Sequence, residues 1–153
     1  MKRRRIKRRS NTRRASVTGR VSEYDEQVVI FEWAKWMEKT VPELWLLNSS
    51  QNGARVTPGT AMKMKNSGMK RGFPDVFLPV SRHGKHGIFI ELKARDRPAA
   101  VSDHQLEWIT RLLDEGYAAS ICYGANEAID TLIGYLDLDT KEHQWPPPRG
   151  LKT

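Results

Sequence analysis

The sequence has little cysteine and lacks long apolar runs. One cysteine, Cys122, occurs in 153 residues, so a disulfide within the chain is excluded. No stretch approaches the roughly 20 apolar residues of a membrane-spanning helix, and no apolar segment of a secretion signal follows the basic N-terminus. We therefore expect a soluble, cytoplasmic protein.

Acidic residues are absent from positions 1–20, which contain ten Lys or Arg residues. The rest of the chain has sixteen basic and eighteen acidic residues, so the net charge of +8 comes from this segment. Its few apolar residues cannot bury enough surface to order it. We expect a disordered basic arm over residues 1–20 that contacts nucleic-acid phosphates. A nuclear or organellar address signal is the competing interpretation.

The remaining length suits one domain of common size and leaves no room for a second. We assign this domain to residues 21–139. A proline-rich C-terminal tail follows over residues 140–153, in which Trp145-Pro146-Pro147-Pro148 favours a stiff, extended conformation.

Two acidic residues flank a predicted β-hairpin in the middle of the chain. Asp75 precedes the apolar run Val76–Leu78, Glu91 closes the run Ile88–Ile90, and polar, glycine-rich residues lie between them. A turn centred near His83 places Asp75 opposite Glu91 on the neighbouring strand. Facing side chains on paired strands are about 5 Å apart at Cβ, close enough to share one cation.

Strand alternation places Glu91 and Lys93 on one face of the second strand, and we expect its other, apolar face to enter the core. Paired carboxylates suit Mg²⁺ or Mn²⁺, which also bind substrate phosphate. A neighbouring lysine can orient the attacking water and stabilise charge on the phosphorus oxygens. The pattern therefore indicates a phosphate-cutting site, although Glu-x-Lys alone also occurs on many exposed hairpins.

A helix upstream carries a candidate third acid. Ser22 and Asp25 have the spacing of a helix start, and the helical period predicts an inward stripe with Glu23 at its N-terminal end and Glu26 about 60° away from it. The members of the predicted stripe are Glu23, Gln27, Ile30, Ala34 and Met37. Alternatively, Glu23 only favours the helix dipole from the first turn.

These residues resemble the PD-(D/E)XK nuclease superfamily, and more closely the virus-type replication-repair nuclease (VRR-NUC) domain. The resemblance runs from about Ser22 to Leu138. It is carried by Glu23 followed by Gln27, by Asn52-Gly53, Gly68, Gly72-x-Pro74-Asp75 and Glu91-x-Lys93, and by Gln105.

The resemblance implies an α/β fold with a restriction-endonuclease-like core, in which a mixed four-stranded sheet is flanked by helices. It implies metal binding by Glu23, Asp75 and Glu91, with Glu26 as the alternative third acid, and a catalytic set of Asp75, Glu91, Lys93 and Gln105. Gln105 would bond to the substrate phosphate or near the lysine. The position of Gln105, three residues after Ser102, also fits a capping box. We expect helix capping and the site contact to compete for this one side chain.

The implied activity is hydrolysis of DNA phosphodiester bonds with Mg²⁺ or Mn²⁺. Related stand-alone domains act as homodimers on branched DNA such as the Holliday junction, in replication, recombination or repair. The setting would be a bacterial or phage-infected host cell. The alternatives are a non-catalytic DNA-binding protein that uses its basic arm, and a sequence-specific, restriction-type endonuclease.

Basic residues are concentrated around the two central acids, since residues 51–97 contain ten basic and three acidic residues. We interpret this cluster as a DNA-binding surface; the alternative is a solvated face. The members considered are Arg55, Lys63, Lys65, Lys70 and Arg71.

The other predicted elements follow from apolar runs and helix stop signals. A buried strand is expected at Leu44–Leu47, a short helix from Thr60 to Gly68, and a helix from Ser102 to Gly116. A strand at Tyr117–Tyr123 and a helix at Glu127–Leu136 complete the domain. The 102–116 helix is expected to pack through Leu106, Ile109, Leu112 and Leu113.

Overall fold

A computed structural model describes residues 21–50, 56–96 and 98–139. The predicted basic arm, the proline-rich tail, Arg55 and Asn52-Gly53 lie outside these residues. No helix within the described ranges is long and apolar enough to cross a membrane.

Four α-helices, one short 3₁₀ helix and four strands make up the described chain. In chain order they are α1 (Glu23–Met37), the 3₁₀ helix (Pro42–Leu46), β1 (Asn48–Ser49), α2 (Pro58–Asn66), β2 (Val76–Leu78), β3 (Ile88–Lys93), α3 (Asp103–Asp114), β4 (Ala118–Tyr123) and α4 (Ala125–Tyr135).

The strands form one mixed sheet in the order β1-β2-β3-β4. The first two pairs are antiparallel, and β3 and β4 are parallel because α3 carries the chain back between them. The α/β fold with a mixed four-stranded sheet is therefore confirmed.

The main core lies between one face of the sheet and helices α1 and α4. Ile88, Ile90 and Leu92 of β3 are almost fully buried there, together with Trp33 of α1 and Leu132 of α4. The opposite face of β3 carries Phe89, Glu91 and Lys93, as alternation predicts. The core thus fixes the strand that holds the candidate site.

The predicted strand at Leu44–Leu47 is wrong, because this segment forms a 3₁₀ helix that begins at Pro42. Leu44 and Leu47 are buried whereas Trp45 is 73% exposed. Burial every third residue is the period of a 3₁₀ helix rather than a strand, and proline is favoured at the first helical position.

Two helix predictions also need correction. Helix α2 begins at Pro58 rather than Thr60, since the Thr57 side chain caps it by accepting from the Thr60 N–H. In α3, Leu112 is buried, but Leu106 and Leu113 are 47% and 45% exposed. Trp108, rather than Leu106 or Leu113, faces the sheet, because its ring contacts that of Phe73. This contact determines which face of α3 turns inward.

Candidate active site

The β2–β3 hairpin brings Asp75 and Glu91 together. Val76 pairs with Ile90 and Leu78 with Ile88, a register that continues to Asp75 opposite Glu91. Oδ2 of Asp75 accepts a 2.9 Å hydrogen bond from the N–H of Leu92, which holds its side chain against β3. The predicted hairpin register is therefore confirmed.

Lys93 and Gln105 both contact the carboxylate of Glu91. Nζ of Lys93 donates to Oε1 of Glu91 at 2.9 Å, and both side chains are buried. Nε2 of Gln105 donates to the same oxygen from the first turn of α3. Glu91 is thus held by a charged donor on its own strand and by a neutral donor from a helix.

Gln105 also caps its own helix, because its Oε1 accepts a 2.9 Å hydrogen bond from the N–H of Ser102. The Oγ of Ser102 accepts in turn from the backbone N–H of Gln105, which completes a capping box. The expectation that capping and a site contact compete is wrong, because the two ends of one carboxamide serve different partners.

The structure distinguishes the two candidate third acids. The capping box of α1 is formed by Ser22 and Asp25, so Glu23 is not needed as a cap. Burial is the main cause of the raised pKa of Asp75 and of Glu91, and the negative charge of Glu23 raises both further. Glu23 is an exposed residue beside the site.

Glu26, by contrast, is 1% exposed and is held by other parts of the fold. Its Oε2 accepts a 2.8 Å hydrogen bond from the N–H of Ala125, and its Oε1 lies 3.5 Å from a guanidinium nitrogen of Arg95. The predicted stripe of α1 is correct from Ile30 onward but wrong in the first turn, where Glu26 rather than Glu23 faces inward.

Burial raises the pKa of both central acids. For Asp75, burial is the largest cause, and the N–H of Leu92 and the charge of Lys93 oppose it. Burial raises the pKa of Glu91 from 4.5 to about 7, although the hydrogen bond from Lys93 lowers it and the charges of Asp75 and Glu23 raise it further. The shifts therefore come mainly from burial, and the site separately brings three acidic side chains, Asp75, Glu91 and Glu23, near one lysine.

This charge excess fits a divalent cation. Among the described residues no group of three or more His, Cys, Asp and Glu side chains is arranged to hold a metal ion. Mg²⁺, however, is commonly bound through one or two carboxylates together with water and substrate phosphate. Asp75 and Glu91 provide such a pair, and Glu23 adds negative charge nearby.

Comparison with known proteins identifies the family. The family model of the VRR-NUC domain matches residues 21–126. The chain belongs to the VRR-NUC domain family. A solved structure described as a VRR_NUC domain protein is similar at 28% identity with a TM-score of 0.66, and the match covers 78% of this chain and 92% of that chain. No curated protein matches the chain.

VRR-NUC domains form a nuclease family, so this chain is a nuclease-family domain whose substrate is DNA. Its four-stranded α/β core agrees with that of the similar structure. The predicted family and fold are thus confirmed. The roles of individual site residues remain predictions that depend on the geometry above.

The described part of the predicted DNA-binding cluster is exposed. Lys63 and Lys65 lie on α2, a helix without a buried residue, and Lys70 and Arg71 follow it. Within the described ranges these four side chains form no ion pair. They are available to a polyanion, which leaves the predicted role open.

An aromatic cluster that the sequence analysis did not identify supports the site. The ring of Phe73 contacts those of Phe77, Phe89 and Trp108, with centroids 6.2, 5.7 and 4.9 Å apart. The indole N–H of Trp108 also donates to the carbonyl of Arg71 at 3.0 Å. Trp108 lies one turn after Gln105, so the cluster fixes the helix that delivers Gln105 to Glu91.

Proposed function

We propose that the protein is a metal-dependent DNA endonuclease that hydrolyses phosphodiester bonds with Mg²⁺ or Mn²⁺. The observation that carries the proposal is the grouping of Asp75, which is half-buried immediately before β2, with the buried pair Glu91 and Lys93 on the neighbouring strand β3 of a nuclease-family fold. Its excess negative charge suits a divalent cation, and its lysine suits a phosphate substrate.

Asp75 and Glu91 would hold the cation, with Glu23 as the third acid. Bound there, a divalent cation supplies charge neutralisation for the phosphoryl oxygens. Asp75 is oriented by the Leu92 N–H, and Glu91 by Lys93 and Gln105. Such fixed donors and carboxylates require little rearrangement during the reaction.

Lys93 would act on the attacking water and on the charge that develops at phosphorus. Its ammonium group is buried against Glu91 at the strand end, where low solvent access strengthens its electrostatic effect. Gln105 would maintain the orientation of Glu91 and form a hydrogen bond with the substrate phosphate. In this arrangement Glu91 and Lys93 lie on β3 and Gln105 on α3, whereas Asp75 immediately precedes β2.

We further propose that the substrate is branched DNA, such as a Holliday junction, and that the protein acts as a homodimer in replication, recombination or repair. One domain of this size offers one catalytic site. Two symmetric incisions therefore require two copies. A bacterial or phage-infected cell is the proposed setting.

The decisive experiment measures cleavage of a labelled four-way junction and of a matched linear duplex with Mg²⁺, Mn²⁺ or EDTA. We expect metal-dependent cutting with preference for the junction. Lys93→Ala and Asp75→Ala should retain folding and DNA binding but lose cutting by at least about a hundredfold, a range typical for loss of a group that stabilises the transition state. Unaltered cutting by Lys93→Ala would contradict the assigned chemistry.

Deleting residues 1–20 separates an enzyme from a protein that only binds DNA. An enzyme should still cut at low salt, while its affinity falls because phosphate contacts by the arm are lost. A binding protein should lose its main activity and should not cut with any metal. A duplex panel of varied sequence tests the third possibility, because a restriction-type enzyme would cut linear DNA at defined sites.

A further inference from the structure

Glu26 is a buried acid that the proposed chemistry does not use. It is 1% exposed, and it crosses from α1 to accept the N–H of Ala125 at the start of α4. Its second carboxylate oxygen faces Nη2 of Arg95 at 3.5 Å. A buried carboxylate is costly unless it is paired, and here the partner is an arginine beyond the end of the catalytic strand.

Arg95 forms an ion pair with a buried carboxylate but remains accessible. Its side chain is 55% exposed, although its partner carboxylate is 2% exposed. Apart from Glu26, no described residue forms a hydrogen bond or ion pair with its guanidinium group. Most of its donor groups can therefore contact a ligand from solvent.

Gly124 creates the space in which Arg95 lies. A Cβ atom at this position would come within 3.1 Å of Cβ and 3.4 Å of Nε of Arg95, and φ is +88°. The N–H of Gly124 donates to the carbonyl of Lys93 at 2.8 Å, which keeps β4 and β3 aligned at this end. Arg95 thus has a glycine beside its stem and a buried acid near its tip, and Oε1 of that acid has no hydrogen-bond partner among the described residues.

The position of Arg95 relates it to the reacting phosphate. It follows Lys93 by two residues and lies just beyond the end of β3, so it projects from the same strand end as the catalytic lysine. Guanidinium groups bind phosphate through paired hydrogen bonds. A side chain that is ordered in advance loses less conformational entropy when it binds.

We propose that Arg95 binds a DNA phosphate next to the scissile one, and that buried Glu26 positions it for this contact. The inference rests on the proposed nuclease function and adds a substrate contact to that site. It also explains why an acid is buried at the start of α1 without joining the catalytic set. Arg95 is a binding residue, and Glu26 is a positioning residue.

The test compares Arg95→Ala with Arg82→Ala. Arg82 is a matched control, because it also pairs with a glutamate, Glu43, at 2.8 Å, but lies beyond the opposite end of β3. Each substitution is examined by steady-state cleavage of the junction. DNA affinity is measured against salt concentration in a Lys93→Ala background, where no cutting occurs.

We expect Arg95→Ala to raise KM and Kd about tenfold, as loss of a charged hydrogen bond does, with kcat within about threefold. The salt slope of log K should fall by about 0.9 for one lost phosphate contact, while Arg82→Ala leaves both unchanged. Glu26→Gln should raise KM in the same direction but less. Equal behaviour of Arg95→Ala and Arg82→Ala would overturn the proposal.

The double variant Arg95→Ala with Glu26→Gln addresses a purely structural role. It removes both charges, and the amide oxygen can still accept the Ala125 N–H. A phosphate contact predicts that affinity remains low, whereas recovery to the wild-type value would show that Arg95 only neutralises Glu26. Failure of the proposed nuclease function would give a different result: the wild-type protein would bind DNA but would not cut it with Mg²⁺ or Mn²⁺.

Discussion

The carboxylate of Glu91 takes part in three interactions. It accepts hydrogen bonds from Lys93 and Gln105, and it is repelled by the charge of Asp75. Burial raises the pKa of Glu91 from 4.5 to about 7. The folded state therefore favours the protonated carboxyl. The resulting stabilisation is fully present below pH 4.5 and is lost as the pH rises through about 7.

If Glu91 holds the cation as proposed, the effect of a divalent cation on stability should depend on pH. We expect Mn²⁺ at about 100 times its Kd to raise Tm by roughly 5 to 10 °C at pH 8, and much less at pH 5.5, where protons occupy the carboxyl group. Differential scanning calorimetry at both pH values measures this. The pH dependence should largely disappear in Glu91→Gln; an equal Tm shift at both pH values in wild type would refute the assignment.

Gly72 is required by the close approach of its loop to α3. Its φ is +80°, and a Cβ atom there would lie 2.6 Å from the carbonyl carbon of His104. We expect Gly72→Ala to lower the free energy of unfolding by roughly 2 to 4 kcal/mol, from backbone strain and a clash with rigid backbone. Urea denaturation measures the change.

Gly134→Ala is the control for that substitution. A Cβ atom at Gly134 in α4 meets nothing within 4 Å, so alanine should stabilise the helix by roughly 0.5 to 1 kcal/mol. If both alanine variants behave alike, the close approach at Gly72 does not determine stability.

At the scale of elements, α3 has two tasks, because it packs on the sheet through Trp108 and delivers Gln105 to Glu91. Trp108→Ala should cost roughly 2 to 3 kcal/mol of unfolding free energy, somewhat below the range for a fully buried aromatic residue. It should also lower kcat, because the first turn of α3 loses its anchor. Denaturation and single-turnover cleavage measure the two effects.

Two companion variants separate packing from helix stability. Trp108→Phe retains a ring against Phe73 and should restore most of kcat, although the hydrogen bond to Arg71 is lost. Thr110→Ala changes an exposed side chain on the same helix and should leave kcat unchanged. A normal kcat in Trp108→Ala would show that α3 needs no aromatic anchor.

The sequence predicts local features of this fold well. The hairpin register and both capping boxes depend on residues close together in the chain, with turn chemistry and alternation that the sequence displays directly. The burial of Glu26 could not be found in this way, because its partner Ala125 is 99 residues away. The 3₁₀ helix was missed because a short apolar run fits several conformations equally.

At the scale of the whole molecule, β4 is one of the two edge strands of the sheet within the described residues, and β1 is the other. The backbone N–H groups of Ala118 and Gly124 point towards β3 and donate to carbonyls on that side. The N–H groups of the alternate residues Ala119 and Ile121 therefore point away from the sheet. This strand contains no charged residue or proline that would discourage pairing. A second copy could pair here antiparallel about a two-fold axis, which makes the surface self-complementary.

The proposed homodimer can be tested through this edge. Leu106 and Leu113, which are exposed on the adjacent α3 two turns apart, should pack in the interface. We expect light scattering to give the mass of a dimer for wild type and of a monomer for the variant with Leu106→Lys and Leu113→Lys. Tyr24→Lys, an exposed change on α1, should remain dimeric. A double-lysine variant that stays dimeric places the interface elsewhere.

The opposition of Asp75 and Glu91 depends on strand pairing and not on the nine residues, 79–87, that connect β2 to β3. Any connection that preserves the register leaves the two carboxylates facing each other. The number of residues between such acids in a sequence therefore does not by itself determine whether they face each other, and an insertion between Arg82 and Lys85, at the turn, is compatible with the same chemistry. The same turn is a natural place to graft a recognition module onto an otherwise unchanged cutting core.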